Sequence, residues 1–183
     1  MTALSRRLLA LALASAAVPL LSGCFSPGTT AAPDGDDQRI SVAMMQPPRS
    51  GLNPLSDDAF KLSRWSTAET LVTLDSDGTP EPLLATGWEQ VDATTWRFDV
   101  RSGVTFHNGD PLTADAVANS LQHAIDATPK PRILNGVDMH VVVDGDAVVV
   151  TTGAPDPLLP NRLSSPQLAV FADDAYTATG VSP

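Results

Sequence analysis

The segment from Thr95 to Val117 leaves this chain few ways to fold. Trp96, Phe98 and Val100 alternate with Arg97, Asp99 and Arg101, the period-two pattern of a strand with one buried face and one wet face. Asn108-Gly109 then supplies residues that tolerate positive φ, which predicts a tight turn. Thr113 predicts a helix start, because its hydroxyl can take up one of the free first-turn N–H groups. Asp115 lies where the helix dipole favours an acid, and Pro111 stops the helix extending backwards. Strand, turn and helix in such close succession indicate a mixed domain, α+β or α/β.

The flanking sequence extends that pattern. A strand is expected over Arg39 to Met45, followed by a Pro-rich loop through Pro54 and a helix from about Asp58 to Leu71, with Leu62, Trp65, Ala68 and Leu71 or Val72 near one face. Strands are expected at Val72 to Asp75, Thr86 to Val91 and Thr95 to Arg101. From Thr113 to Ala127, Val117, Leu121 and Ile125, with Ala114 and Ala118 beside them, form a stripe that can pack on a sheet, and Pro129 ends the helix. Val137 to Val143 and Ala147 to Thr152 flank Asp144-Gly145-Asp146, a strong hairpin signal. Asp156 to Leu163 reads as a short helix.

The N-terminus reads as an address. Arg6 and Arg7 precede an apolar run, Leu8 to Leu21, of signal-peptide length, closed by Leu21-Ser22-Gly23-Cys24. This ending resembles a bacterial lipoprotein processing site, with acylation at Cys24. The expected division is therefore a signal peptide over 1–23, a flexible Ser/Pro/Gly/Asp tether over 24–38 and a folded part over 39–183. Ser5-Arg6-Arg7-Leu8 also resembles a twin-arginine signal, although an ordinary positive n-region accounts for it. Cys24 is the only cysteine, so an internal disulfide is excluded.

Loss of that leader would remove two of the 11 basic residues and none of the 21 acidic ones, taking the net charge from −10 to −12. Such a surface argues against nucleic acid or anionic lipid as a partner. No Gly-x-Ser-x-Gly elbow, phosphate-cradling loop, Cys-x-x-Cys or His-Glu-x-x-His motif is present, so neither a hydrolase or nucleotide enzyme nor a preformed metal site is expected.

The central block, with Gly103-Val104-Thr105-Phe106-His107-Asn108-Gly109 and Pro111-Leu112-Thr113-Ala114, resembles the signature of the family 5 extracytoplasmic solute-binding proteins, the peptide and nickel receptors of ATP-binding-cassette importers. The resemblance extends upstream through Leu52-Asn53-Pro54, Glu69-Thr70-Leu71-Val72 and Pro82-Leu83-Leu84-Ala85-Thr86-Gly87-Trp88, and spans Arg39 to Phe171. It departs at Ala116, where the family carries a second acid, and at Asn119, near a tyrosine of peptide binders. The resemblance implies a periplasmic-binding-protein-like fold that traps a peptide or similar polar solute between two lobes, without covalent chemistry or cofactor. It further implies a monomer delivering that solute to an importer permease while held to the outer face of the membrane, or in the periplasm, by a lipid anchor. Nickel carried as a chelate follows from the resemblance alone. Against the family, the chain reads as part of lobe I plus its additional subdomain, with the second lobe absent. An alternative is a truncated lipoprotein that no longer transports and serves as a surface interaction module.

In peptide-binding relatives the segment after the first strand lines the cleft, which makes Arg49, Ser50 and Asn53 the candidate ligand contacts here, Arg49 through a ligand carboxylate. His107 beside its turn reads as a metal ligand or general base, or as a structural histidine bonding the turn backbone, the second being favoured. Asp110 and Asp115 read as turn and helix-start residues rather than an acid pair. His107 and Asp110 are the sole foothold for an enzyme. Trp65, Trp88 and Trp96 read as core before they read as an aromatic ligand floor.

Overall fold

The computed structural model describes residues 43–177 and 180–181. Its centre is a four-stranded antiparallel sheet in the order β3-β4-β6-β5, built from β3 (Ala85–Gln90), β4 (Thr95–Val100), β5 (Met139–Asp144) and β6 (Ala147–Thr152). The alternation read in Thr95 to Val100 is the reason for the sheet's two faces. Phe98 is fully buried and lies opposite Trp88 and Val148, with the Trp88 and Phe98 rings 6.1 Å apart between centroids. On the other face Arg97 forms ion pairs with Asp99 and Asp144. The β5–β6 hairpin closes at Asp144 opposite Ala147, and Gly145 (φ 62) takes the first loop position, the place a type II′ turn gives to glycine.

One helix covers the inner face. It runs from Ala114 to Asp126, labelled α2 because the shorter α1 (Ala59–Arg64) precedes it. Thr113 is its N-cap, with an extended backbone and a hydroxyl that accepts from the Ala116 N–H at 3.1 Å. Thr113→Ala is expected to cost about 1 kcal/mol, read as a lower urea midpoint at unchanged slope. The buried stripe is Ala114, Val117, Leu121 and Ala124, so the face is turned slightly from the expected one and Ile125 is only half-buried. Ser120, also buried, holds a distant segment through its hydroxyl, which donates to the Phe171 carbonyl and accepts the Phe171 N–H, both at 3.1 Å.

Three expectations need correction. The helix expected over Asp58 to Leu71 stops at Arg64, because Ser66 adopts φ 54 and the chain beyond it becomes extended. Glu69 instead bridges Val170, whose N–H donates to the Glu69 carbonyl at 2.8 Å, and Val72–Leu74 forms β1 against β2 (Pro80–Pro82). The β-branched Thr67, Thr70 and Val72 suit that conformation better than a helix. The helix expected over Asp156 to Leu163 shrinks to α3 (Leu159–Arg162): Pro160 has no N–H to give the Asp156 carbonyl, which accepts the Leu159 N–H in a tighter turn instead. Met44 and Met45 are irregular where a strand was expected; the rest of that stretch, from Arg39, mostly lies outside the described residues, as do the apolar run, the tether and Cys24.

All these elements belong to one compact unit, Met44–Pro183. Its core joins Phe98, Val148 and Val150 of the sheet to Val117 and Leu121 of α2 and to Leu71, Val72, Leu134 and Leu159. A satellite cluster of Leu62, Ala169 and Phe171, with Leu52 and Ala68 packed on it, lies under α1. Short strands β7 (Tyr176–Thr177) and β8 (Gly180–Val181) pair at the end of the described chain.

Candidate functional site

Three segments wall an open cleft of about 670 Å³: Trp65–Glu69 after α1, Val104–Asn108 after β4, and Val170–Ala175. This volume lies in the range of small-molecule sites. Its floor and walls are largely apolar, with Leu52, Trp65, Phe106 and Phe171 prominent, while Glu69, His107, Asn108 and Asp174 supply polar groups.

The Val104–Asn108 wall has a local cause. Thr105 bridges Pro111, the Phe106 N–H donates to the Asp110 carbonyl at 2.8 Å, and the Gly109 N–H donates to the Phe106 carbonyl at 3.0 Å. The loop thus holds three residues, His107 to Gly109, and only Gly109 (φ 94) needs the left-handed region. Asn108 ties it down. Its side chain donates to Asp110 at 2.8 Å and to Asp174 at 3.1 Å, and accepts the Asp110 N–H at 3.0 Å. This corrects the expectation for His107, which is exposed and makes no hydrogen bond among the described residues, so the turn owes its closure to its neighbour.

Arg49, Ser50 and Asn53 sit elsewhere. The Asp58 carboxylate, 1% exposed, accepts the N–H groups of Arg49 at 2.9 Å and Ser50 at 2.7 Å, the Ser50 hydroxyl at 2.8 Å and the Lys61 ammonium at 2.7 Å. Burial alone would raise its pKa, but the Lys61 bond and these backbone donors outweigh it and hold the carboxyl far below the usual 3.8. The Arg49 and Ser50 amides are therefore spent on Asp58, leaving the Arg49 side chain to solvent. Within the same loop Leu52 carries φ 64, uncommon for a branched side chain, and reaches the cleft. Asn53 accepts the Leu55 N–H at 2.9 Å and borders a separate hollow. That hollow, about 720 Å³, also contains the exposed Arg132–Asp57 pair at 2.9 Å and the His123–Tyr176 stack, with ring centroids 4.1 Å apart. Burial pushes the Tyr176 hydroxyl up to about 12.

Of the three tryptophans, Trp88 and Trp96 pack half-buried on the core, whereas Trp65 is 37% exposed and walls the cleft, a correction to its reading as core. Asp110 is engaged by Asn108 and Asp115 lies in the first turn of α2, so His107 finds no acidic partner there. Among the described residues no three His, Cys, Asp or Glu side chains converge as a metal group would require. The sequence alone does not mark Glu69, Phe171 and Asp174 as site residues, because only long-range packing brings them to one cleft.

A cleft of this size, with a few polar groups over an apolar floor, can hold a small solute. Residues 79–183 match the bacterial extracellular solute-binding proteins, family 5 Middle, and the chain belongs to this family. It is similar to the nickel-binding protein NikA of Staphylococcus aureus (25% identity over 167 residues, 91% of this chain and 32% of NikA). It is similar too to the periplasmic oligopeptide-binding protein OppA of Haemophilus influenzae (38% over 91 residues, 45% of this chain and 17% of OppA). Among solved structures, NikA of Brucella suis in complex with Fe(III)-EDTA superposes with a TM-score of 0.63 at 28% identity, covering 72% of this chain and 28% of that one. The mixed α/β fold is thus that of part of a periplasmic-binding-protein-like solute receptor, and these relatives are binding proteins, not enzymes. The chain spans about a third or less of the length of the curated relatives it matches.

Proposed function

We propose that this chain is part of an extracytoplasmic receptor that holds a peptide or similar polar solute non-covalently, as a monomer, and presents it to the permease of an ABC importer. The observation that carries this reading is the position of the cleft: two of its three walls, Val104–Asn108 and Val170–Ala175, lie within the family-matched residues 79–183. The names of the NikA and OppA relatives support nickel complexes and peptides as the cargo classes. In this reading a facing lobe closes over the cleft. The Arg49, Ser50 and Asn53 loop is its neighbour, with the Arg49 guanidinium as the group for a ligand carboxylate.

The test is calorimetric titration of the full chain with dipeptides, oligopeptides and nickel–histidine. Binding of at least one class at about micromolar dissociation constant or tighter supports the receptor. No binding by a protein whose circular dichroism shows it folded overturns it.

We further propose that Cys24 is the lipid attachment point, supported by Arg6-Arg7, the apolar run and Leu21-Ser22-Gly23 before it. In a bacterial host the wild type should partition with detergent-extracted membranes and Cys24→Ser should not; equal partitioning of the two would refute the anchor.

A further inference from the structure

We propose that the cleft beside Trp65 selects a solute with an apolar, preferably aromatic, body and a positively charged end. The inference rests on the receptor reading above and names the chemistry of its solute.

Two independent features meet there. The first is surface: Trp65, 37% exposed, lines the cleft together with Phe106 and Phe171. An aromatic ring entering it would cover apolar surface that otherwise faces water. The second is charge. Glu69 and Asp174 both line the cleft, and among the described residues its lining contains no lysine or arginine, with His107 as its basic side chain. Asn108 bonds one Asp174 oxygen, Oδ1, at 3.1 Å; among the described residues neither the other oxygen nor the Glu69 carboxylate has a hydrogen-bonded or ion-paired partner. An ammonium in the cleft meets carboxylates, whereas an anionic group in the same place meets like charge, Arg49 lying outside the lining. The net charge of −10 acts in the same direction at longer range.

Another part of the lining is held in place by its own loop. Leu52, at φ 64, sits in a loop whose neighbouring amides are fixed on Asp58, so its side chain meets a solute already positioned.

Two probes with the same body and opposite charge separate the alternatives: Phe-Ala-Ala amide, cationic at its free N-terminus, and N-acetyl-Phe-Ala-Ala acid, anionic at its C-terminus. Calorimetry on the full chain should show the cation binding about tenfold or more tighter. Glu69→Gln with Asp174→Asn should remove most of that preference, and both positions are exposed, so the fold should survive. Trp65→Ala should weaken both probes and Trp65→Phe should restore them. The inference is overturned if the anionic probe binds as tightly, if the preference outlives the double substitution, or if neither probe binds while other peptides or nickel–histidine do. If no solute of any class binds to the folded protein, the receptor reading falls with it.

Discussion

Asp58→Ala is expected to lower the folding free energy by about 3 kcal/mol, because it strips the partner from a largely buried ammonium and from several backbone donors at once. Lys61 is only 14% exposed in its side chain and lies 2.7 Å from the carboxylate, so it loses its counter-charge where water is a poor substitute. The N–H groups of Arg49 and Ser50 lose their acceptor together. Asp58→Asn keeps one acceptor oxygen and should lose less, which separates the charge from the hydrogen bonds. Urea denaturation of the three proteins measures both. The acid side of the profile carries a second signature. The folded carboxyl titrates well below its ordinary value of 3.8, so between those limits the unfolded chain binds more protons and stability rises with pH. The contribution is complete above about pH 4, near the unfolded value, and is lost as the pH falls toward the folded one. A wild type and Asp58→Asn with the same slope below pH 4 would contradict this.

Phe98→Ala is expected to cost about 4 kcal/mol, the loss typical when an aromatic ring leaves a closed core. Phe98 is 0% exposed and is shared by both strand neighbours and the covering helix. The cavity would open beside Trp88, so the tryptophan emission should shift to the red along with the fall in urea midpoint. Phe98→Leu should lose markedly less, since it refills most of the volume. An alanine variant within about 1 kcal/mol of wild type would mean that this sheet does not pack on α2 as described.

What could be read from the chain alone follows the distance over which each feature is decided. The alternation in β4, the Thr113 cap and the Gly145 hairpin each depend on residues a few positions apart, and each stands where the pattern put it. The stretch after Arg64 kept an apolar spacing near helical, but its conformation is decided by Val170, far along the chain, and distant pairing overrides a weak local preference. The cleft was illegible for the same reason, since Trp65, Phe106 and Phe171 come from three separated segments. Between His107 and Asn108, side-chain reach decides which one closes the turn, and Asn108 offers both a donor and an acceptor two residues from Asp110. Arg49, Ser50 and Asn53 are candidates through the resemblance to peptide-binding relatives, whose segment after the first strand lines the cleft; here much of the loop's polarity serves Asp58 and the Leu55 amide, an internal use that the order of residues does not announce.

The two bonds between Ser120 and Phe171 reach past their energy. They clamp both polar groups of one peptide residue to a helix that is itself bolted across a sheet, so the wall bearing Phe171 inherits the stiffness of the whole scaffold. A guest must then suit that wall instead of moulding it, and little ordering remains to be done when it arrives.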